Sequence, residues 1–402
     1  MPAAPFYPPR LNPALVRVCQ WIVPLYGRFW CRMMLDVDPT SLAILKSLQR
    51  ERILLLSNHP SFFDDWISIF LLSARVEMAF HFLAAQERFR GLEGPLIQRL
   101  GTYSVRRGLG DRASVAETIR LWSSPSHRLV IFPEGGCSFQ NDVVTPFRVG
   151  GIQMAFQGLN KIAKTSDEIP DLYVIPISIK YRYISNMVPV IDQTLIGLEK
   201  ALELSPSRTR SLTFYQRLRA IAERVINQFE VEHGLDTSDV TKLSWNERID
   251  RLRNHLLESC EQILEISIND HQLLRERVYK IQYLLETKGK TLVNDPFWTY
   301  EKMQQVTISL LNFDAIYDGY VAAAPTPERF LDTLIRLERQ VFKIDYPTPK
   351  ARRKVLIKVG KPVNLKEYYG AYRGDRPGTV AHLTKVMEDM VQRNLNILNQ
   401  DS

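Results

Sequence analysis

Between about residue 40 and residue 190 short apolar runs alternate with stretches of helical length. The runs at 52–56, 81–84, 128–132 and 173–180 are continuous rather than alternating in polarity. A strand covered on only one face shows polar residues at every second position. These runs therefore predict strands buried on both faces, as in a largely parallel sheet with helical crossovers. Beyond about residue 200 the strand pattern stops, and helices are predicted at 213–233, 244–267, 270–287, 297–319 and 327–343. Gly234 and Gly289 stand beyond C-termini, and Thr326, Pro327 and Glu328 offer an N-cap followed by proline at the first helical position. Residues 354–359, followed by Gly360, Lys361 and Pro362, read as one more strand and turn, and 379–398 as a closing helix. No repeat of fixed period stands out.

These elements predict an α/β fold, a mostly parallel central sheet flanked by helices, with a large all-helical insertion and an N-terminal amphipathic helical segment. The expected division is 1–38 for that segment, 39–198 for the first part of the α/β domain, 199–348 for the insertion, and 349–402 for the final strand and helix that complete the α/β domain. Within the N-terminal segment, Leu15 to Met34 mixes Trp21, Ile22, Leu25, Tyr26, Phe29 and Trp30 with Arg17, Arg28 and Arg32, and Pro24 is expected to kink it. This is the composition of a helix lying in the headgroup plane of a membrane. No run of 18 or more apolar residues predicts an ordinary spanning helix.

Composition narrows the classes. The 402 residues are 45% hydrophobic and 24% charged, which fits a folded globular chain and excludes a disordered or collagen-like one. A formal net charge of +8 favours anionic partners: phospholipid headgroups, phosphorylated substrates or nucleic acid. Nucleic acid is not expected, because basic and aromatic residues are spread over several helices without a zinc-finger spacing or an RNA-binding signature. Cys19, Cys31, Cys137 and Cys260 lack Cys-x-x-Cys spacing, and no signal peptide or N-glycosylation acceptor is evident, so a reducing, cytosol-facing location is expected. Gly289, Lys290 and Thr291 look like the end of a phosphate-binding loop, but Leu284 stands where its first glycine belongs. The remaining histidines have no His-x-x-x-His pair, so no metal site is expected.

Candidate chemistry gathers where apolar strands end, the place at which open α/β sheets collect functional groups. After the first run come Ser57, Asn58, His59, Pro60, Ser61, Phe62, Phe63, Asp64 and Asp65. On one helix His59 and Asp64 would stand roughly 140° apart. Pro60 biases His59 out of helical geometry into the turn, so that the imidazole can fold back over the first helical turn towards the Asp64 carboxylate. A carboxylate on one ring nitrogen leaves the other to take a proton, as a general base requires. A plain capping box formed by Ser61 and Asp64 is the alternative. Gly101 to Gly108 ends a short β-like run on Arg106 and Arg107, which suit a phosphate or a solvated surface. Glu134, Gly135, Gly136 and Ser138 follow Phe132 and Pro133, either as polar groups and close-approach glycines at a ligand or as a simple turn.

Four of these blocks in this order, Asn58-His59-x4-Asp64, Gly101-x5-Arg107, Phe132-Pro133-Glu134-Gly135 with Ser138, and the strand through Val174, Ile175, Pro176 and Ile177, resemble the PlsC-type glycerolipid acyltransferase family, which includes the lysophosphatidate and glycerol-3-phosphate acyltransferases. The resemblance implies transfer of a fatty acyl group from acyl-CoA or acyl carrier protein to a hydroxyl of a lysophospholipid, lysophosphatidate foremost, or of glycerol phosphate, at the cytoplasmic face of a membrane. No cofactor other than the acyl donor is implied. His59 would be the base, Asp64 its partner, Arg107 the phosphate contact, and Glu134, Gly135 and Ser138 acceptor-binding positions. Gly136 and Cys137 replace the Thr-Arg pair common in the family, which removes one phosphate ligand. A hydrolase or metal enzyme built on His59, Asp64 and Glu134, and a non-catalytic lipid-binding protein, are the competing readings.

Overall fold

The computed structural model describes residues 6–400 except 62, 108–109, 165–167, 206–210, 237–239, 268–271, 290–292, 294, 315 and 345–346. Two compact units emerge: an α/β unit built from the chain up to Arg182 and again from Arg352, and a helical unit from Tyr183 to Ala351.

The α/β unit opens with α1 (Pro13–Phe29), β1 (Met33–Val37), α2 (Pro39–Ser47), β2 (Arg52–Ser57) and α3 (Phe63–Val76). It continues through β3 (His81–Ala85), α4 (Glu93–Arg99), β4 (Thr102–Val105), α5 (Arg112–Trp122), β5 (Arg128–Ile131), α6 (Gly150–Ala163) and β6 (Leu172–Tyr183). The strand order is β1-β7-β6-β2-β5-β3-β4, where β7 (Arg353–Val359) returns after the helical unit, and the short β8 (Val363–Asn364) pairs antiparallel with β6. The pairs β1–β7, β6–β2, β2–β5, β5–β3 and β3–β4 are parallel. The expected class, a mostly parallel sheet between helices, is what forms.

β2 shows why the runs are continuous. Ile53 and Leu55 face a core that includes Val16 and Val23 of α1 and Ile67, Phe70 and Leu71 of α3. Leu54 and Leu56 face the opposite core, against Trp122 of α5 and Ile152, Phe156 and Leu159 of α6. That second core also receives Val380, Leu383, Met387 and Val391 from the closing helix Arg376–Gln400. Each buried leucine contributes about 1.5–3 kcal/mol of transfer free energy.

Two sequence expectations shift. The segment expected to be helical to Met34 ends as helix at Phe29, and Met33 and Met34 open β1, an edge strand in which only Met33 is buried. The α/β unit also ends at Arg182 rather than at 198. The helix Val188–Ala201, α7, packs in the helical unit against α8 (Phe214–Glu232) and Pro327–Phe342.

In the helical unit α8 is followed by α9 (Trp245–Ile263), α10 (Leu274–Lys288), α11 (Tyr300–Phe313), a single turn α12 (Tyr320–Ala323) and α13 (Pro327–Phe342). Capping boxes at Thr213 with Gln216 and at Ser244 with Glu247 start α8 and α9. A regularity not evident from the sequence joins successive helices. Arg217 pairs with Glu199, Arg248 with Glu230 and Arg277 with Glu261. Each arginine is the fourth residue of its helix, and each glutamate is third from the end of the helix before. Taken out of water, fork-to-carboxylate pairs of this kind set strong hydrogen bonds against a desolvation cost of similar size and add little net stability.

At the N-terminal ends of β3 and β5, away from the strand ends that carry the candidate chemistry, the His81 and His127 rings lie 4.3 Å apart, both buried. Among the described residues His81 Nδ1 and His127 Nε2 have no hydrogen-bond partner. Burial lowers His81 to about 4, and burial together with His81 lowers His127 to about 2. Unfolding releases both rings to an ordinary value near 6.5. The unfolded chain then binds protons that the folded chain refuses, so stability is full above about pH 6.5 and falls as pH drops towards 4. His81 alone costs roughly 2 kcal/mol at about pH 5. The urea midpoint should fall between about pH 7.5 and pH 5, and His81→Asn, which cannot take the proton, should show a smaller fall. An equal fall in both proteins would remove His81 as the source.

Candidate active site

The strand β2 delivers the site. Asn58, wholly buried at its end, extends the sheet with its side chain: Nδ2 donates to Ile179 O at 2.9 Å, and Oδ1 accepts from Ile179 N at 2.7 Å. His59 then leaves the sheet and its main chain is held at both ends. Its N–H donates to Glu134 Oε1 at 2.7 Å, and its carbonyl accepts from Ser138 N at 2.8 Å. Glu134 is buried, and its other carboxylate oxygen accepts from the N–H and the hydroxyl of Thr145. Glu134 and Ser138, expected at the acceptor, thus tie the exit of β5 to the exit of β2 through the backbone of His59. The His59 ring stacks on Phe132, the residue after β5, with centroids 4.5 Å apart.

The partner of the imidazole differs from the expectation. His59 Nδ1 lies 2.6 Å from Asp65 Oδ2, not on Asp64. A helix capped by Ser61 would make Asp64 its third residue, beneath a histidine that precedes it; because α3 runs from Phe63, the third residue is Asp65. Asp65 Oδ2 also accepts from Ser61 N at 2.8 Å, and Asp65 Oδ1 accepts from the Tyr181 hydroxyl at 2.6 Å. Burial, followed by the nearby charges of Asp65 and Asp64, raises the Tyr181 hydroxyl well above its usual value, so it acts as a donor. Asp64 points elsewhere and forms an ion pair with Arg353 at the start of β7.

Gly135 has φ of +74°, a left-handed conformation that glycine adopts without strain, and a Cβ there would stand 2.6 Å from the guanidinium carbon of Arg148. The departure at Gly136 and Cys137 thus leaves an arginine, Arg148, beside this loop. Arg107 follows β4, with β5 and β3 between β4 and β2 in the sheet, a lateral offset of about 14 Å at ordinary strand spacing. Its guanidinium reaches Glu87 Oε1 at 3.3 Å, and Arg106 pairs with Asp111. Gly108 lies outside the described residues. Asp65, Tyr181, Arg353, Thr145 and Arg148 were not singled out from the sequence. Only Asp65, in the Asp-Asp doublet, carried a local signal.

The arrangement holds a histidine in one tautomer. With Asp65 accepting the proton on Nδ1, the lone pair belongs to Nε2, the nitrogen able to take a proton from a bound hydroxyl or water. Among the described residues no group of three or more histidine, cysteine, aspartate or glutamate side chains is placed to hold a metal ion.

Comparison with known proteins meets this geometry. Residues 42–180 match the family model described as Acyltransferase, a span that takes in His59, Asp64, Asp65, Arg107, Glu134 and Ser138. This segment is an acyltransferase domain. A stretch of 108 residues is 30% identical to the lyso-ornithine lipid O-acyltransferase of Pseudomonas aeruginosa, covering 27% of this chain and 40% of that protein.

Proposed function

We propose that the chain transfers a fatty acyl group from a thioester donor, acyl-CoA or acyl carrier protein, to the hydroxyl of a lysolipid or of glycerol phosphate, with His59 as general base and Asp65 as the group that orients it. The observation that carries this reading is the 2.6 Å contact of His59 Nδ1 with Asp65 Oδ2 inside the acyltransferase domain. His59 Nε2 takes the hydroxyl proton as the oxygen attacks the thioester carbonyl carbon. The tetrahedral intermediate collapses, the carbon–sulfur bond breaks, and the departing thiolate takes the proton from the imidazolium, leaving an ester and a thiol. Asp65 steadies the imidazolium without itself being protonated. Arg107, placed along the same edge of the sheet, and Arg148, beside Gly135, are the candidate contacts for an anionic acceptor headgroup.

The test is a matrix of acceptors and donors on purified protein. Lysophosphatidate, glycerol phosphate, lysophosphatidylglycerol and a lyso-ornithine lipid are each offered with labelled acyl-CoA and with acyl carrier protein. Label in the acceptor supports the reading. Label released only as free fatty acid favours a hydrolase, and lipid binding without turnover of any pair favours a non-catalytic lipid-binding protein.

Acceptors of this kind sit in membranes, and α1 is built to meet one. Val16, Gln20, Val23 and Gly27 are buried, with Gly27 against Leu71 of α3. Trp21, Ile22, Leu25, Phe29 and Trp30 are exposed on the other side, with Phe29 at 72% and Trp30 at 75%. No helix among the described residues is long and apolar enough to cross a membrane. We therefore place α1 in the interface on the cytoplasmic face, held by its aromatic rings and by Arg28 and Arg32. Deleting the segment would strip Val16 and Val23 from the core, so surface substitution is the cleaner test. Trp21→Ser, Phe29→Ser and Trp30→Ser combined should lower partition onto anionic liposomes by about 10-fold or more while the thermal midpoint holds. Unchanged co-sedimentation would remove α1 as the contact.

A further inference from the structure

Two carboxylates stand side by side in the first turn of α3, and only one serves His59. We infer that Arg353, delivered by the strand that returns after the helical unit, is the positioning residue that makes this choice: it holds Asp64 away from the imidazole and, through Tyr181, holds Asp65 under it. This rests on the acyl-transfer reading above, and it adds a residue from outside the matched span of 42–180.

The observations form one connected path. β7 lies between β1 and β6 and pairs with β1 in a register that sets Arg353 opposite Met33, from where its side chain reaches Asp64 in the first turn of α3. There Arg353 is buried, and its guanidinium donates to Asp64 Oδ2 and, at 3.2 Å, to the carbonyl of Cys31. The same guanidinium lies over the Tyr181 ring, 4.8 Å from its centroid. The Tyr181 hydroxyl lies 2.6 Å from Asp65 Oδ1 and 3.0 Å from Ser68 Oγ, and Ser68 Oγ donates to the carbonyl of Asp64 at 2.7 Å. Arg353 therefore touches Asp64 directly and touches the phenol that fixes Asp65.

The physics follows from charge and burial. Adjacent residues of a helix point about 100° apart, so a modest turn of side chains would bring Asp64 into competition for a cationic or proton-donating imidazole. A planar, always charged guanidinium satisfies Asp64 where it is, and partial burial makes that pairing stronger than at a solvated surface. Stacking on Arg353 also limits the ring positions open to Tyr181. Removing Arg353 leaves Asp64 as an uncompensated charge next to the Asp65–His59 pair, and the pair loses its single geometry.

Two readouts on the full chain test this. In 15N-histidine-labelled protein, the proton on His59 Nδ1, assigned by its loss in His59→Asn, should give a downfield resonance that survives Asp64→Asn and disappears in Asp65→Asn. Arg353→Met should weaken or shift it, and Arg353→Met with Asp64→Asn should restore it, because the competing charge is gone. In the transfer assay Arg353→Met should lower kcat about 10- to 100-fold with KM for the lysolipid within about threefold, a loss comparable to that of a misaligned acid–base group. Arg353→Lys should recover part of that loss, and the double variant should be more active than Arg353→Met alone. An unchanged resonance in Arg353→Met overturns the inference, as does a double variant no better than the single one. If Arg353→Met does not fold, Arg353→Lys against Arg353→Lys with Asp64→Asn carries the same comparison. The two readings fail separately. Transfer undiminished by loss of His59 overturns the base assignment, while an inactive His59 variant beside a fully active Arg353→Met overturns Arg353 alone.

Discussion

His59→Ala should lower kcat/KM for acyl transfer by about 10³- to 10⁴-fold, the upper range for removing a positioned general base. The fold should survive. The ring stacks on Phe132 and meets Asp65, but the structural grip on this residue is on its backbone, through Glu134 and Ser138, and alanine keeps both of those hydrogen bonds. Asp65 would still accept from Tyr181 and from Ser61 N, so it is not left buried without partners. The expected stability cost is therefore about 1.5–3 kcal/mol, the value of one hydrogen bond to a charged group. Initial rates with saturating donor, beside a thermal melt followed by circular dichroism, separate the two effects. Turnover within tenfold of the parent in a folded variant would refute His59 as the base.

Asp64→Asn and Asp65→Asn should fail in different ways. Asn at 65 is nearly isosteric, yet it can offer an N–H to the imidazole and favour the tautomer in which Nε2 carries the proton and cannot accept another. In the serine protease triad that exchange costs about 10⁴-fold in kcat, and a loss of about 10²- to 10⁴-fold is expected here. Asn at 64 leaves the His59–Asp65 contact in place and removes the counter-ion of a buried arginine, so activity should stay within about tenfold. Breaking a buried pair by deleting one partner costs about 3–5 kcal/mol, so this variant should be the less stable of the two. Guanidinium melts and steady-state rates on both variants decide it. A dead Asp64→Asn beside an active Asp65→Asn would return the orienting role to Asp64.

The central strands were legible because burial on both faces writes itself into local sequence: the strand interiors at 53–56, 82–84, 129–132 and 174–177 are apolar at successive positions, as residues lying between two helical layers must be. The start of the helix at Pro327 was legible for an equally local reason, since Thr326 satisfies backbone groups within three residues, whereas the helix expected over 297–319 spans Tyr300–Phe313. β1 was not legible. As an edge strand with Met33 alone buried, it owes its pairing to β7, and nothing within its own residues records that partner.

The sequence alone placed a histidine at the end of a strand, an aspartate, Asp64, in the first turn of the helix that follows, and two further strand exits carrying arginine and glutamate. Local sterics at Pro60 and the rules of helix starts sufficed for that. Which of two adjacent aspartates meets the histidine was beyond it, because a helix that begins one residue later costs almost nothing in local free energy yet rotates a different carboxylate under the ring. The tertiary structure decided that choice, through Tyr181 from β6 and Arg353 from β7, residues whose contacts to the doublet span 116 and 289 positions of the chain. Only the sheet order brings such distant groups, a phenol and a guanidinium, within hydrogen-bonding range of the two carboxylates.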